Sequence, residues 1–451
     1  MKFELTQEYL ESLEAAIRDK QAAFITTTLQ EANPADISSL LNEFDVEEAH
    51  YVIGLLDKEV GAEVIAELDR GIQEGLFKVY SSEEAASLVD LMDSDDAVDI
   101  LNELPVLKRE EIIAQLKNEE RADHIIDLLR YDDDTAGGLM AKELIKANVN
   151  WTVGKCIEEI RRQAENVQKM YSVYVVDNRD KLLGRVSLKK LIIANEDAKI
   201  ADIYNPKDLI AVETYMDEED VAIVMEKYDL EAVPVINLQG KLVGRITIDD
   251  IVDVMRDMAE QERQLMSGIS EDVEEDDSIW VLSRARLPWL TIGIAGSLVG
   301  ARFMGLFEGD IAQIPAMAFF IPLITATGGN VGIQSTSIVL QSLANRSAFN
   351  ERHFERFSKG FFVSLINGLV LAALVLGVNM LLDEDMKLAM VVSFALLCVV
   401  LLASFTGTIT PIILNKMGMN PAVASGPFIT TANDLLGLCV YFGVAHVLYG
   451  L

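Results

Sequence analysis

Asp434 is the residue of this chain best placed to act on an ion. It is the only formal charge in the apolar run from Pro421 to Leu448, and it lies near the middle. A carboxylate at mid-bilayer depth costs about 3 kcal/mol on insertion scales, so by default it marks a path for ions or protons. The residues leading to it, Pro421-Ala-Val-Ala424-Ser-Gly-Pro427-Phe-Ile-Thr430-Thr431-Ala-Asn433-Asp434, are mostly small or helix-breaking. Small residues let helix backbones approach, and Pro and Gly release carbonyls for other partners. The plainer alternative is an Asp tied to a Ser or Asn of another helix. A second run, Thr325-Ala-Thr327-Gly328-Gly329-Asn330-Val-Gly332-Ile-Gln334-Ser335, offers glycines and amides at similar depth. Such a run lines a wet cavity or forms a tight packing seam, and a break or bend is expected at Gly328-Gly329.

Other chemistries find less support. There is no nucleophile–base pair, phosphate-binding Gly loop or His-rich metal set, and His50, His124, His353 and His446 are scattered. An enzyme is therefore not expected. Cys156, Cys398 and Cys439 are far apart in apolar surroundings and read as small hydrophobes.

The elements that position these residues follow from composition. The 451 residues carry a net charge of −34, but from Val281 onward there are 9 basic and 8 acidic residues. The first 280 residues thus hold 29 bases and 64 acids, a soluble acidic half that attracts cations and repels nucleic acid and anionic lipid. MKFELTQEYL has no apolar signal region, so this half is expected in the cytoplasm. Five segments can span a bilayer: Leu287–Phe307, Ile311–Leu343, Phe361–Leu382, Leu388–Leu414 and Pro421–Leu448. Arg346, Arg352, Arg356 and Lys359 lie between the second and third. The loops after the first and third are acidic: Glu308 and Asp310, then Asp383-Glu384-Asp385. Positive loops stay inside, which leaves the C-terminus outside.

Within the soluble half, Tyr174–Lys190 repeats as Pro234–Asp250 at an offset of 60 residues without a gap. Each copy reads as strand, turn, strand, helix. The pair resembles tandem CBS domains, which often bind adenine nucleotides such as ATP. Gly244, Thr247 and Asp250 fit that family's nucleotide-contacting stretch, whereas the first copy has Ser187 and Lys190. Up to about Arg130 the chain reads as short amphipathic helices with acidic starts, a small α-solenoid. Ile251–Gly268 is acidic and amphipathic, Glu271–Asp277 is an acidic linker, and Ser278–Arg286 reads as an interfacial helix anchored by Trp280.

These parts, in this order, resemble the MgtE family of magnesium channels, whose eukaryotic relatives are solute-carrier magnesium transporters. The resemblance covers essentially the whole chain. It is carried by Tyr131-Asp-Asp-Asp-Thr-Ala-Gly-Gly-Leu-Met140, Gly328–Ser335 and Asn420–Asp434. It implies a multidomain architecture: a helical N-terminal domain (1–130), two α+β CBS domains (131–200 and 201–257), a connecting helix (258–286) and an all-α membrane domain of five helices (287–451). It further implies a homodimer in the cell membrane with a Mg²⁺ pore on its two-fold axis, lined by the second and fifth spans. Asp434 matches the ion-selecting carboxylate, with Asn330, Gly329, Ala424, Thr430 and Asn433 around the ion path. Asn420 and Gly426 stand where some members have Asp and Asn. In the family, Mg²⁺ bound between the soluble domains closes the pore. The matching acids are Asp95 and Asp99, then Asp217, Glu219, Asp229, Asp250 and Glu262, while Met258 and Gln261 replace acids of some relatives. A secondary Mg²⁺ exchanger coupled to Na⁺ or H⁺, or a broader divalent-cation transporter, is the alternative. A CBS-regulated anion channel is disfavoured by Asp434 and by the lack of Lys or Arg within the second and fifth spans.

Overall fold

The computed structural model describes residues 7–30, 32–164, 170–207, 209–270, 273, 277–344, 353–382, 385–424 and 426–450. They form two compact units, Met1–Met255 and Arg256–Leu451. Several residues of the sequence argument lie outside the described ones: Arg346, Arg352, Asp383, Glu384, Ser425 and linker positions 271, 272 and 274–276.

In the first unit, short helices start where a side chain caps them. Asp45 accepts from the Glu48 N–H at 2.9 Å while the Glu48 carboxylate accepts from the Asp45 N–H at 3.4 Å, and Ser81 and Glu84 repeat the device. The helices form two layers. Pro34–Leu41, Lys58–Ala66, Ser82–Val89 and Val106–Gln115 stack in one, and Val46–Ile53, Arg70–Val79, Ser94–Asn102 and Glu119–Leu128 in the other. Each helix packs on the second one after it, which is solenoid packing, over a core that includes Ile37, Leu40, Ile65, Phe77 and Leu101.

The CBS copies follow. Strands β1 (Lys146–Asn148), β2 (Val173–Val176) and β3 (Leu182–Val186) form one sheet, and β4 (Val212–Glu213), β5 (Ala232–Ile236) and β6 (Leu242–Thr247) the other. Both run parallel then antiparallel, and the 60-residue offset holds at the level of register. Val175 faces Gly184 and Val235 faces Gly244, with an irregularity after each of these pairs. The turns repeat as well: Asp177 and Asn237 each accept two backbone N–H bonds, and Asp180 (φ 58°) and Gly240 (φ 74°) take the left-handed position. The two turns pair with each other, Leu182 donating to the Gly240 carbonyl and Leu242 to that of Asp180, both at 3.0 Å.

The connecting helix, Ile248–Ser267, starts at the end of β6 and carries the chain from the first unit into the second. In the second unit five helices are long and apolar enough to cross a membrane. The first is Ile279–Gly305; the expected interfacial segment is continuous with it rather than separate. The second, Ile321–Ala344, runs unbroken through Gly328-Gly329, so the expected break there is corrected. The interruption sits earlier, where Glu308–Gln313 and a 3₁₀ turn, Pro315–Phe320, precede the helix. The third is His353–Leu381 and the fourth Met386–Lys416. In the fifth segment a 3₁₀ turn, Pro421–Ala424, precedes the helix Pro427–Tyr449. The fourth helix is the hub, packing against the second, third and fifth over Val392, Leu396, Val399, Tyr441 and Phe442.

Candidate ion site and acidic cluster

The second and fifth membrane helices meet at Asp434. A Cβ added to Gly329 would stand 3.2 Å from Thr430 Cγ2 and 3.8 Å from Asp434 Oδ1. A side chain there would crowd Thr430, so the glycine run serves close packing and at the same time brings backbone to the acid. Gly328 lies against Val399 of the fourth helix, and a Cβ at Gly332 would collide with the Asn433 amide. Asp434 is half-buried, and among the described residues it has no hydrogen-bond or ion-pair partner. The plainer reading, an Asp tied to a neighbouring Ser or Asn, is therefore not what the fold builds.

The other pore candidates divide. Thr430 lies one turn before Asp434, and its hydroxyl donates to the Gly426 carbonyl at 2.9 Å, leaving its lone pairs open. Asn330 is exposed, and Ala424 is buried in the 3₁₀ turn. Asn433 is only 1 % exposed: Thr406 donates to its Oδ1 at 2.7 Å, and its Nδ2 is buried without a partner among the described residues. It sits in the seam with the fourth helix and away from solvent. Asn420 accepts from the Ala422 N–H at 2.9 Å. Gly426 has φ +54°, and a Cβ there would strike the Met266 carbonyl; Gly268, at φ +80°, lies against Pro427. The start of the fifth helix thus rests on the segment leaving the connecting helix, through two glycines that a side chain would push apart.

In the first unit the acids of the Ser94–Asn102 helix gather near Asp250. Asp93 precedes the helix, and Asp95 and Asp96 occupy its first turn. Burial and neighbouring carboxylates push Asp96 up to about 8, Asp99 to about 7 and Asp250 to about 6, with Asp95 well above and Asp93 above the usual carboxylate range. Packed protein around Asp99 disfavours its charge although its side chain still meets solvent. Asp250 accepts from the Thr247 N–H at 3.1 Å and its hydroxyl at 2.8 Å, which starts the connecting helix. Beside the cluster, buried Glu143 accepts from the Ser94 hydroxyl at 2.6 Å and lies 3.7 Å from Arg121. Asp93, Asp96 and Glu143 were not singled out from sequence; the spacing Asp93, Asp96, Asp99, one residue per helical turn, is the signal that marks two of them.

Asp217 caps the Glu218–Lys227 helix, accepting from the Glu219 N–H at 3.1 Å. Asp229 has φ +50° just past that helix, and Glu262 is half-buried on the connecting helix. Among the described residues no three Asp, Glu, His or Cys side chains are close enough to hold a metal ion directly. Of the nucleotide candidates, Gly244 is buried where a Cβ would meet Met140 Sδ at 2.6 Å, and Thr247 is engaged with Asp250.

Comparison with known proteins matches these parts one by one. A family model for the MgtE divalent cation transporters covers residues 321–444, one for the MgtE intracellular N domain 32–134, and CBS models 136–197 and 200–257. The chain is 32% identical to the magnesium transporter MgtE of Thermus thermophilus, over 97% of this chain and 98% of that protein. It is 28% identical to the MgtE of Bacillus subtilis over 95% of both. The solved cytosolic domain of the Mg²⁺ channel MgtE in complex with ATP is 31% identical, with a TM-score of 0.51, covering 54% of this chain and 99% of that one. With the architecture, the five membrane helices and near-full-length similarity in agreement, this multi-pass membrane protein belongs to the MgtE family of magnesium transporters.

Proposed function

We propose that the chain is a Mg²⁺-selective channel for uptake, working as a homodimer whose pore lies between the second and fifth membrane helices. The observation that carries this reading is Asp434, a carboxylate without a partner among the described residues, against the Gly329 backbone. Two copies facing across an axis would set −2 against a +2 ion. Mg²⁺ gives up water reluctantly and prefers octahedral oxygen, so one carboxylate ring with open hydroxyls and carbonyls binds a largely hydrated ion without trapping it. Thr430, Asn330 and the carbonyls of Gly329 and Ala424 would contact its water shell, with Asn433 fixing the helix that presents Asp434. Asp434→Asn keeps one oxygen and drops the charge. In proteoliposomes a variant that elutes like the parent should lose Mg²⁺ flux at least tenfold; parental flux would refute the electrostatic reading.

The same proposal covers regulation. Cytosolic Mg²⁺, held through its waters among Asp95, Asp96, Asp99 and Asp250, would neutralise carboxylates that now repel one another, with Asp217, Glu219, Asp229 and Glu262 as further acids. Since Asp250 starts the connecting helix and Gly426 rests against Met266 at its end, ordering the cluster would bear on the start of the fifth helix. The similarity to an ATP-bound cytosolic domain supports an adenine-nucleotide site at the second CBS copy, around Gly244, Thr247 and Asp250.

A further inference from the structure

The second, third and fourth membrane helices enclose a groove of about 480 Å³, within the ~300–1,000 Å³ range of small-ligand sites. The fourth helix packs against both others and forms the floor, while the second and third barely touch. One end carries Lys359 and Lys416, with Ser342 and Asn415 beside them. Both lysines are exposed, and neither has an ion-pair partner among the described residues. This is the side on which the chain enters the membrane half: the fourth helix ends at Lys416, and the fifth begins at Pro427 against Gly268.

Beyond the lysines the character changes. Ile338, Val363 and Ile412 wall the groove, and Ile338 and Val363 remain 68 % and 49 % exposed. Deeper still, Ser335 and Ser364 meet the Ser404 hydroxyl at 3.1 and 2.5 Å, so these hydroxyls satisfy one another. Ser364 lies five residues past Lys359, or about 7.5 Å along the helix. The groove thus has a cationic end at the membrane surface, an apolar wall next to it, and hydroxyls and amides, including Gln334 and Asn367, farther in.

We infer that this groove binds an anionic phospholipid from the leaflet facing the soluble half. Its phosphate sits on Lys359 and Lys416, and an acyl chain lies along Ile338, Val363 and Ile412. Basic pockets between membrane helices on that side suit anionic headgroups. A soluble anion would use the lysines and leave the apolar wall in contact with water, which the hydrophobic effect disfavours. Ser335 and Ile338 face the groove while Gly329 and Gly332 face the fifth helix, so the lipid supports the second helix from behind.

The test uses delipidated full-length protein titrated with phosphatidylglycerol or phosphatidylcholine and followed by native mass spectrometry. Phosphatidylglycerol should bind more tightly. Lys359→Gln with Lys416→Gln should weaken it about 30-fold, for two basic residues worth ~1 kcal/mol each, and should weaken phosphatidylcholine, whose choline offsets the phosphate charge, much less. Val363→Trp, which fills the groove and keeps both lysines, should also weaken it. Unchanged phosphatidylglycerol binding in the double-lysine variant overturns the proposal. So does equal competition by sn-glycerol 1-phosphate, which would make this a soluble-anion site. Cross-linking of Ile338→Cys to its counterpart in a second copy, in lipid-free protein, would overturn it too, since a helix of that copy would then fill the groove.

Discussion

Protons and Mg²⁺ should compete for the carboxylates around the Ser94–Asn102 helix, and that competition fixes the sign of the pH dependence. In the unfolded chain an Asp titrates near 3.9. In the fold Asp96 is pushed up to about 8, Asp99 to about 7 and Asp250 to about 6, by burial first. Between those values the folded state keeps protons that the unfolded state has lost, so stability falls as pH rises. The contribution is fully present below about pH 4 and gone by about pH 8. At 1.36 kcal/mol per unit, Asp96 alone sets a ceiling of roughly 5 to 6 kcal/mol. The acids share protons and Asp99 stays in touch with water, so the working loss is on the order of 2–3 kcal/mol. In a unit of this size that corresponds to about 5–10 °C in unfolding temperature. The assay is thermal unfolding of the soluble half in the full-length protein, read by protease sensitivity in EDTA from pH 5 to pH 8.5. Adding Mg²⁺ should restore stability at pH 8 and do little at pH 5.5, and Asp96→Asn should flatten both responses. A midpoint in EDTA that stays level or rises with pH would refute the reasoning.

Other perturbations reach different parts of the molecule. Gly426→Ala forces a side chain into a positive-φ position against the Met266 carbonyl; it should cost about 1–3 kcal/mol locally and change the Mg²⁺ concentration that halves flux in proteoliposomes while the protein stays folded. Thr247→Val removes the hydroxyl that donates to Asp250 and leaves the backbone N–H bond in place; it should weaken ATP binding measured by calorimetry at least several-fold. Glu143→Leu leaves Arg121 without its buried carboxylate and the Ser94 hydroxyl and N–H without their acceptor; the soluble half should lose about 3–5 kcal/mol in urea unfolding.

What could be read from the sequence depended on whether the signal was local. The CBS duplication was legible because strand alternation and turn chemistry are short-range: Asp177 and Asn237, Asp180 and Gly240 do the same work 60 residues apart. Asp434 was legible because an acid in an apolar run is anomalous by itself. The expected break at Gly328-Gly329 fails for an instructive reason. Those glycines are small so that Val399 and Thr430 can approach, and a helix needs no break to be approached closely. The real interruptions, at Pro315–Phe320 and Pro421–Ala424, sit where Pro ends one helical path and begins another. Asp95 and Asp99 were visible as acids, but the joining of Asp93 and Asp96 to Asp250, about 150 residues on, belongs to the tertiary fold. Asp217 shows the converse, an acid whose clearest use in the fold is to start a helix.

The hub position of the fourth membrane helix has a consequence for biogenesis. The third and fourth helices are the most apolar of the five, while the second and fifth, which carry the glycines and Asp434, are among the least. Helices of that kind partition weakly into lipid as individuals. The second emerges from the ribosome before the fourth, its main packing partner. Its largest packing surface is therefore completed only when the fourth arrives. The fifth, which carries Asp434 and is among the less apolar spans, comes last, when the surface that receives it is already built. The order of the helices along the chain thus works as an assembly schedule, in which the most lipid-soluble element is made in time to receive the span that carries the half-buried acid.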